Sequence, residues 1–219
     1  MGPVTNEILL VATIAIGIGA MVAFRTIGFR AYPAIVMFMC MVAISLFGAK
    51  LVEVFGFTTN IGNGLYAVVM MAQALNYELR GRDYAIKEIG LVALALTVFF
   101  GLTQSVAAMI PAESSVAFSG AVEAVVAAQA FAFPASLAAF YIAMTAFVAL
   151  YDRLAALPSA TRYIAACLVA QAVDSAIFFS VLFALSGFAL TAEIMATGFV
   201  IKVAFAAITA PVLSWLKRP

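Results

Sequence analysis

Residues 163–187 read YIAACLVAQAVDSAIFFSVLFALSG, and their only charge is Asp174, near the middle. A helix of about 20 apolar residues crosses the hydrocarbon core of a bilayer. A strand of a membrane barrel would be about 10 residues long and would alternate polar with apolar, which this stretch does not do. Working outward, six more runs of the same kind can be drawn: 8–24, 33–49, 61–77, 89–110, 134–151 and 194–215. The last holds only Lys202, and the remaining five hold no charge. Lone glycines and prolines inside such runs (Gly17, Gly19, Gly101, Pro211) are tolerated in membrane helices.

Composition gives the same answer. Of the 219 residues, 67% are apolar and 10% charged, and mean hydropathy is +1.18. Soluble domains are about 45–50% apolar and about 25% charged, and a fold of this size cannot withdraw so much apolar surface from water. A soluble enzyme, a nucleic-acid-binding module and a disordered tail are excluded. The expected fold is all-α and integral to the membrane: one transmembrane domain over 1–219, a bundle of seven helices. The opening MGPVTNEILL carries Glu7 and no Lys or Arg. It lacks the basic start of a signal peptide, so run 8–24 is read as a retained helix.

The cations set the orientation. Arg25, Arg30, Arg80, Arg82, Lys87, Arg153, Arg162, Lys217 and Arg218 fall on one side if the runs alternate. Glu7, Glu53, Glu113 and Glu193 fall on the other. The positive-inside rule makes the first side cytoplasmic. The N-terminus is therefore expected outside and the C-terminus inside. Residues 111–133, PAESSVAFSGAVEAVVAAQAFAF, are too polar at Glu113–Ser115 to span and too apolar to sit in water. A re-entrant or interfacial helix over 116–131 is expected there.

An ionisable side chain at mid-membrane costs about 2.5–3.5 kcal/mol on insertion scales, so it marks a site or a buried pair. Asp174 and Lys202 lie at similar depths and are expected to share an interior. Gln171, three residues before Asp174, shares its helical face. Gln73 and Asn76 form a second i,i+3 pair, and two amides in an apolar run need partners. Glu123, within the apolar fourth loop, is a third acidic candidate. Glu78 and Arg80 belong to the charged turn after run 61–77, and Lys50 to the outer end of run 33–49, where it can snorkel to the interface. These three are given gating or structural roles. There is no histidine, and Cys40 and Cys167 both sit in apolar runs. No metal site, disulfide or cofactor is expected, and no nucleophile–base pair of an enzyme is found.

Segment 73–90, QALNYELRGRDYAIKEIG, resembles the cytoplasmic motif of the queuosine-precursor transporters, also called the vitamin uptake transporter family, with Glu78, Gly81 and Ala85 filling it. Residues 162–187 resemble that family's penultimate helix through Gln171, Asp174, Ser175 and Phe178. Residues 198–216 resemble its last helix through Lys202 and Pro211, and Lys50 falls where the family tends to have lysine. The resemblance runs over about residues 40–216. It implies a six-helix inner-membrane protein, similar in architecture to the substrate-binding subunits of energy-coupling-factor vitamin transporters. It also implies uptake of 7-cyano- or 7-aminomethyl-7-deazaguanine for tRNA modification. The chain departs from the family in run 8–24, an extra N-terminal helix. It departs again at Ala74, where an acidic residue is usual, at Ser45, where asparagine is usual, and in YIAMTAFVA (141–149), which lacks an amide and an aspartate.

The expected function is import of a purine-like base. Asp174 or Glu123 would accept the ligand's N–H donors, Gln171, Gln73 and Asn76 would add contacts, and Lys202 would meet a carbonyl. Partners are the substrate and the bilayer, with no nucleic acid and with a homodimer left open. One alternative is a binding subunit that needs an ATPase partner. A remote one is a seven-helix retinal protein, given an outside N-terminus and a lysine in the last helix.

Overall fold

The computed structural model describes residues 5–48, 50–186 and 192–216. Lys217 and Arg218 lie outside the described residues. The chain forms α1 (Asn6–Thr26), α2 (Tyr32–Phe47), a hairpin of β1 (Leu51–Val54) and β2 (Phe57–Asn60), α3 (Gly62–Arg80) and α4 (Arg82–Ala107). A short 3-10 turn at Glu113–Ser115 then leads into α5 (Val116–Arg153), α6 (Ser159–Ser186) and α7 (Ala192–Leu216). Each of the seven apolar runs falls on one of these helices. Five helices are long and apolar enough to cross a membrane: α1, α4, α5 over Ala132–Arg153, α6 over Ser159–Val181 and α7 over Met195–Leu216. Helix α2 is apolar but shorter. The protein is an all-α, multi-pass membrane protein.

Helix α3 is the axis of the bundle. Every residue from Tyr66 to Asn76 is buried, and α1, α2, α4, α5 and α7 all pack on it. Because its neighbours surround it, α3 can carry Asn63, Gln73 and Asn76 without showing them to lipid. Close approach comes from small residues, as in other membrane helix pairs. A Cβ on Gly17 of α1 would stand 2.9 Å from Val68, and one on Gly64 of α3 would stand 2.7 Å from Leu10.

Helix α3 stops at Gly81, whose φ of 83° and ψ of 175° lie in a region essentially confined to glycine. Gly81→Ala is expected to cost about 1–3 kcal/mol, read as a lower thermal unfolding midpoint in detergent. Gly90→Ala, in α4 with open space at its Cβ position, is the control. It should leave the midpoint unchanged or raise it, since alanine is the better helix former.

Two segments depart from expectation. Residues 116–131 do not re-enter; they are the first half of α5, which runs on without reversal through Pro134 for 38 residues. At a rise of about 1.5 Å per residue this is about 57 Å, longer than a hydrocarbon core. Helix α4 supports the extension. The rings of Phe100 and Phe133 stack at 4.3 Å, and the Gln104 amide donates to the Val126 carbonyl at 3.4 Å. The polar Glu113–Ser115 is where the chain turns, and only after it does the helix begin. Residues 51–60, which hold no apolar run, pair as an antiparallel hairpin with Leu51 opposite Asn60 and Val54 opposite Phe57. Its turn has φ of 51° at Phe55 and 78° at Gly56, the two positive values that define a type I′ turn. The start of α1 clamps it: the Glu7 carboxylate accepts the Phe55 N–H at 2.7 Å, and the Asn6 amide donates to the Glu53 carbonyl at 2.8 Å.

Candidate functional site

The half of the bundle next to the hairpin encloses a cavity of about 400 Å³, walled by α2, α3, α5, α6 and α7. Most of its lining is apolar, including Ile44, Leu46, Phe133, Phe178, Phe179 and Phe199. Among these stand Ser45, Asn60, Asn63, Gln129, Ser136, Asp174, Ser175 and Lys202. A few polar groups in an apolar hollow of this size are the usual composition of a small-molecule site.

Asp174 and Lys202 meet, as their shared depth implied. Lys202 Nζ donates to Asp174 Oδ2 at 2.6 Å, and the Tyr66 hydroxyl donates to Oδ1 at 2.9 Å. The ammonium also lies 4.7 Å from the centre of the Tyr66 ring, near enough for a cation–π attraction. Both charged side chains are about one-tenth exposed. A buried charge survives only with a partner, and here each carboxylate oxygen has one donor and keeps a second lone pair for another. Glycine again sets the spacing. A Cβ on Gly198, one turn before Lys202, would stand 2.9 Å from Asn63 Nδ2. The Asn63 amide donates to the Thr59 hydroxyl at 3.0 Å.

The other candidates lie elsewhere. Gln171 is fully buried one turn from Asp174, and neither end of its amide has a partner among the described residues; it does not line the cavity. Gln73 Nε2 donates to the Ala85 carbonyl at 2.9 Å, fastening α3 to α4. Asn76 is buried, and neither amide atom has a partner among the described residues. Neither Gln73 nor Asn76 reaches the cavity. Glu123 is exposed on α5. Lys50 is exposed as well, with its backbone N–H on the Phe47 carbonyl. Among the described residues no group of three or more acidic or thiol side chains could hold a metal ion.

Glu78 and Arg80 belong to a second polar cluster, at the end of the bundle away from the hairpin. The Arg162 guanidinium lies over the rings of Tyr151 at 3.7 Å and Tyr77 at 4.8 Å. It donates to the Tyr151 carbonyl and pairs with Glu78 Oε1 at 3.4 Å. The Tyr151 hydroxyl donates to the same Glu78 oxygen at 2.6 Å. The Tyr77 hydroxyl donates to Asp152, which pairs with Arg82 at 3.7 Å. Arg80 pairs with Glu88 at 3.7 Å, stacks on Tyr84 at 4.2 Å and donates to the Arg30 carbonyl.

Sequence reasoning gave no site role to Tyr66, Asn63 or Gln129. Gln129 had a signal, an amide in the apolar stretch 116–131. Tyr66 and Asn63 had none, because a tyrosine or asparagine in an apolar run points to no particular partner.

A family model described as "Putative vitamin uptake transporter" matches residues 60–216. The match takes in α3 to α7 and every cavity residue from Asn60 onward, while α1 and α2 precede it. No curated protein and no solved structure matches the chain.

Proposed function

The chain belongs to the vitamin uptake transporter family, and from that premise we propose that it imports a flat, purine-like base, a queuosine precursor of the 7-cyano- or 7-aminomethyl-7-deazaguanine type. The observation that carries this reading is a carboxylate, Asp174, with free acceptor capacity in an aromatic-walled cavity of about 400 Å³. A guanine edge presents adjacent ring N–H and amino donors, and a carboxylate accepts such a pair in parallel. Lys202 supplies a donor for the neighbouring carbonyl, and the phenylalanines offer flat faces to the rings. An unpaired polar group is costly in so dry a setting, so ligands that leave one unmet are rejected.

The cavity lies in the half of the bundle next to the hairpin, with Leu51 and Asn60 of the hairpin in its lining. The charge distribution supports that side as the outer one, in an inner membrane crossed seven times with the N-terminus outside. Arg30 and Arg80 are joined at one end of the bundle, whereas Glu7 is joined to the hairpin at the other. An importer needs its site reachable from outside, which agrees. The chain transports its ligand rather than transforming it. The retinal alternative loses its basis with the family known and with Lys202 bound to Asp174.

The test is uptake of labelled 7-aminomethyl- and 7-cyano-7-deazaguanine by cells lacking their own route. We expect accumulation that depends on this chain. Absence of uptake, with no ligand-induced thermal shift of the purified protein, would reject the substrate. Full uptake by the chain in proteoliposomes, with no other protein, would reject the reading as an ATPase-dependent binding subunit.

A further inference from the structure

The charges of the cavity are already matched. Among the described residues, Asp174 and Lys202 are the only charged side chains in its lining, and they neutralise each other across 2.6 Å. Both are about one-tenth exposed, so the pair lies largely out of water. Neither partner is exhausted by the pairing. A carboxylate offers about four lone-pair sites; here one on Oδ2 takes Lys202 and one on Oδ1 takes the Tyr66 hydroxyl. An ammonium has three protons to give, and one of them goes to Asp174. Toward a ligand the pair therefore acts as a neutral unit that both accepts and donates. A guanine edge is neutral too and carries the complementary set, two N–H donors beside a carbonyl.

We propose that the cavity selects its ligand by charge and admits uncharged molecules, because the Asp174–Lys202 pair leaves no counter-ion for a charged one. The proposal rests on the purine-import reading for its choice of ligands, and it divides the two candidates. The 7-cyano compound is uncharged, whereas the 7-aminomethyl compound carries an alkylamine that is protonated at neutral pH. The count of charges is the same wherever the substituent lies. An ammonium away from Asp174 meets only neutral side chains of the lining. An ammonium that takes Asp174 displaces Lys202, which is then left with the Tyr66 ring at 4.7 Å and no carboxylate. If both share Asp174, two cations crowd one carboxylate. One buried cation lacks a partner in every case, and an uncompensated buried charge costs more than a cation–π contact returns. An anion fails by the same count, since Lys202 cannot neutralise it and Asp174 together.

The experiment compares the 7-cyano, 7-hydroxymethyl and 7-aminomethyl deazaguanines by equilibrium binding to the purified full chain in detergent. The hydroxymethyl compound matches the aminomethyl one in size and in bringing a donor, and differs in charge. At neutral pH wild type should bind the aminomethyl compound about tenfold or more weakly than the hydroxymethyl compound. Since only the unprotonated fraction of the amine is admitted, its apparent affinity should rise about tenfold per pH unit below the amine's own pKa. The hydroxymethyl affinity should stay flat over the same range. Lys202→Met leaves Asp174 as an open counter-ion, so the aminomethyl compound should become the tightest of the three. If that variant does not fold, the wild-type pH series carries the test alone. Aminomethyl and hydroxymethyl affinities within about threefold of each other in wild type overturn the inference and leave purine import standing. So does an aminomethyl deficit that ignores pH, or a folded Lys202→Met protein that still prefers the hydroxymethyl compound. Binding of none of the three overturns both.

Discussion

Asp174→Leu is expected to be among the most damaging single changes to the fold, and adding Lys202→Met is expected to repair the fold without repairing transport. The single change leaves an ammonium with no carboxylate, in a side chain about one-tenth exposed. Removing one partner of a buried ion pair typically costs about 3–5 kcal/mol, because the other charge is left uncompensated. The same logic predicts a similar loss for Lys202→Met alone. Replacing both by apolar residues of similar volume is often neutral or stabilising, so the double variant should unfold near the wild-type temperature. If Asp174 also receives the ligand, the double variant remains without uptake despite its recovered stability. Thermal unfolding in detergent and uptake, measured on all three variants, separate the two roles. Wild-type uptake by the double variant would make the pair a strut between α6 and α7 and remove Asp174 from the binding site.

The second large effect is expected at the opposite end, from Arg162→Ala. Arg162 is 7% exposed, lies over two tyrosine rings and pairs with Glu78. Truncation removes both stacking contacts and leaves the Glu78 carboxylate with the Tyr151 hydroxyl. We expect a loss of about 3 kcal/mol or more, the scale of a broken buried pair. Arg162→Lys should recover less than half of it. A lysine keeps the charge but lacks the flat guanidinium that stacks and donates to the Tyr151 carbonyl at once. The unfolding midpoint is the measurement, and full rescue by lysine would show that charge alone matters there. The cluster lies away from the cavity, so ligand affinity per folded molecule should stay unchanged in both variants.

The two ends of the molecule were unequally legible in the sequence. The apolar runs fall on the seven α-helices of the described residues, five of which are long and apolar enough to cross a membrane. The Asp174–Lys202 meeting was legible because two opposite charges at one depth have little choice but to pair. Depth is a one-dimensional quantity, however, and direction around a helix axis is not read from it. Gln73 and Asn76 looked like site residues for their polarity alone, yet they face α4 and the interior of the bundle rather than the cavity. Tyr66, two turns before Gln73, contributes the hydroxyl that the carboxylate needs. Residues 116–131 misled in another way. Their mixed polarity matched an interfacial segment, but the same residues serve as the first half of a long helix, with α4 alongside donating to it from Gln104. A hairpin turned at Phe55–Gly56 was hidden by a bulky residue where glycine, asparagine or aspartate is usual.

The burial of α3 has a consequence for how the protein is made. Helices α1, α4, α5, α6 and α7 each contain a stretch long and apolar enough to cross a membrane by itself. Helix α3 carries Asn63, Gln73 and Asn76 within 19 residues, and it is missing from the helices whose own hydropathy suffices for crossing. Each such amide raises the free energy of a lone segment in hydrocarbon until a partner or a protein wall covers it. Helix α3 must therefore be escorted, entering beside α2 or waiting at the translocation channel until α4 arrives. The segment at the centre of the bundle is the one least able to reach the membrane alone, so assembly proceeds around it, and one side of it stays uncovered until α7 is synthesised and docks against it.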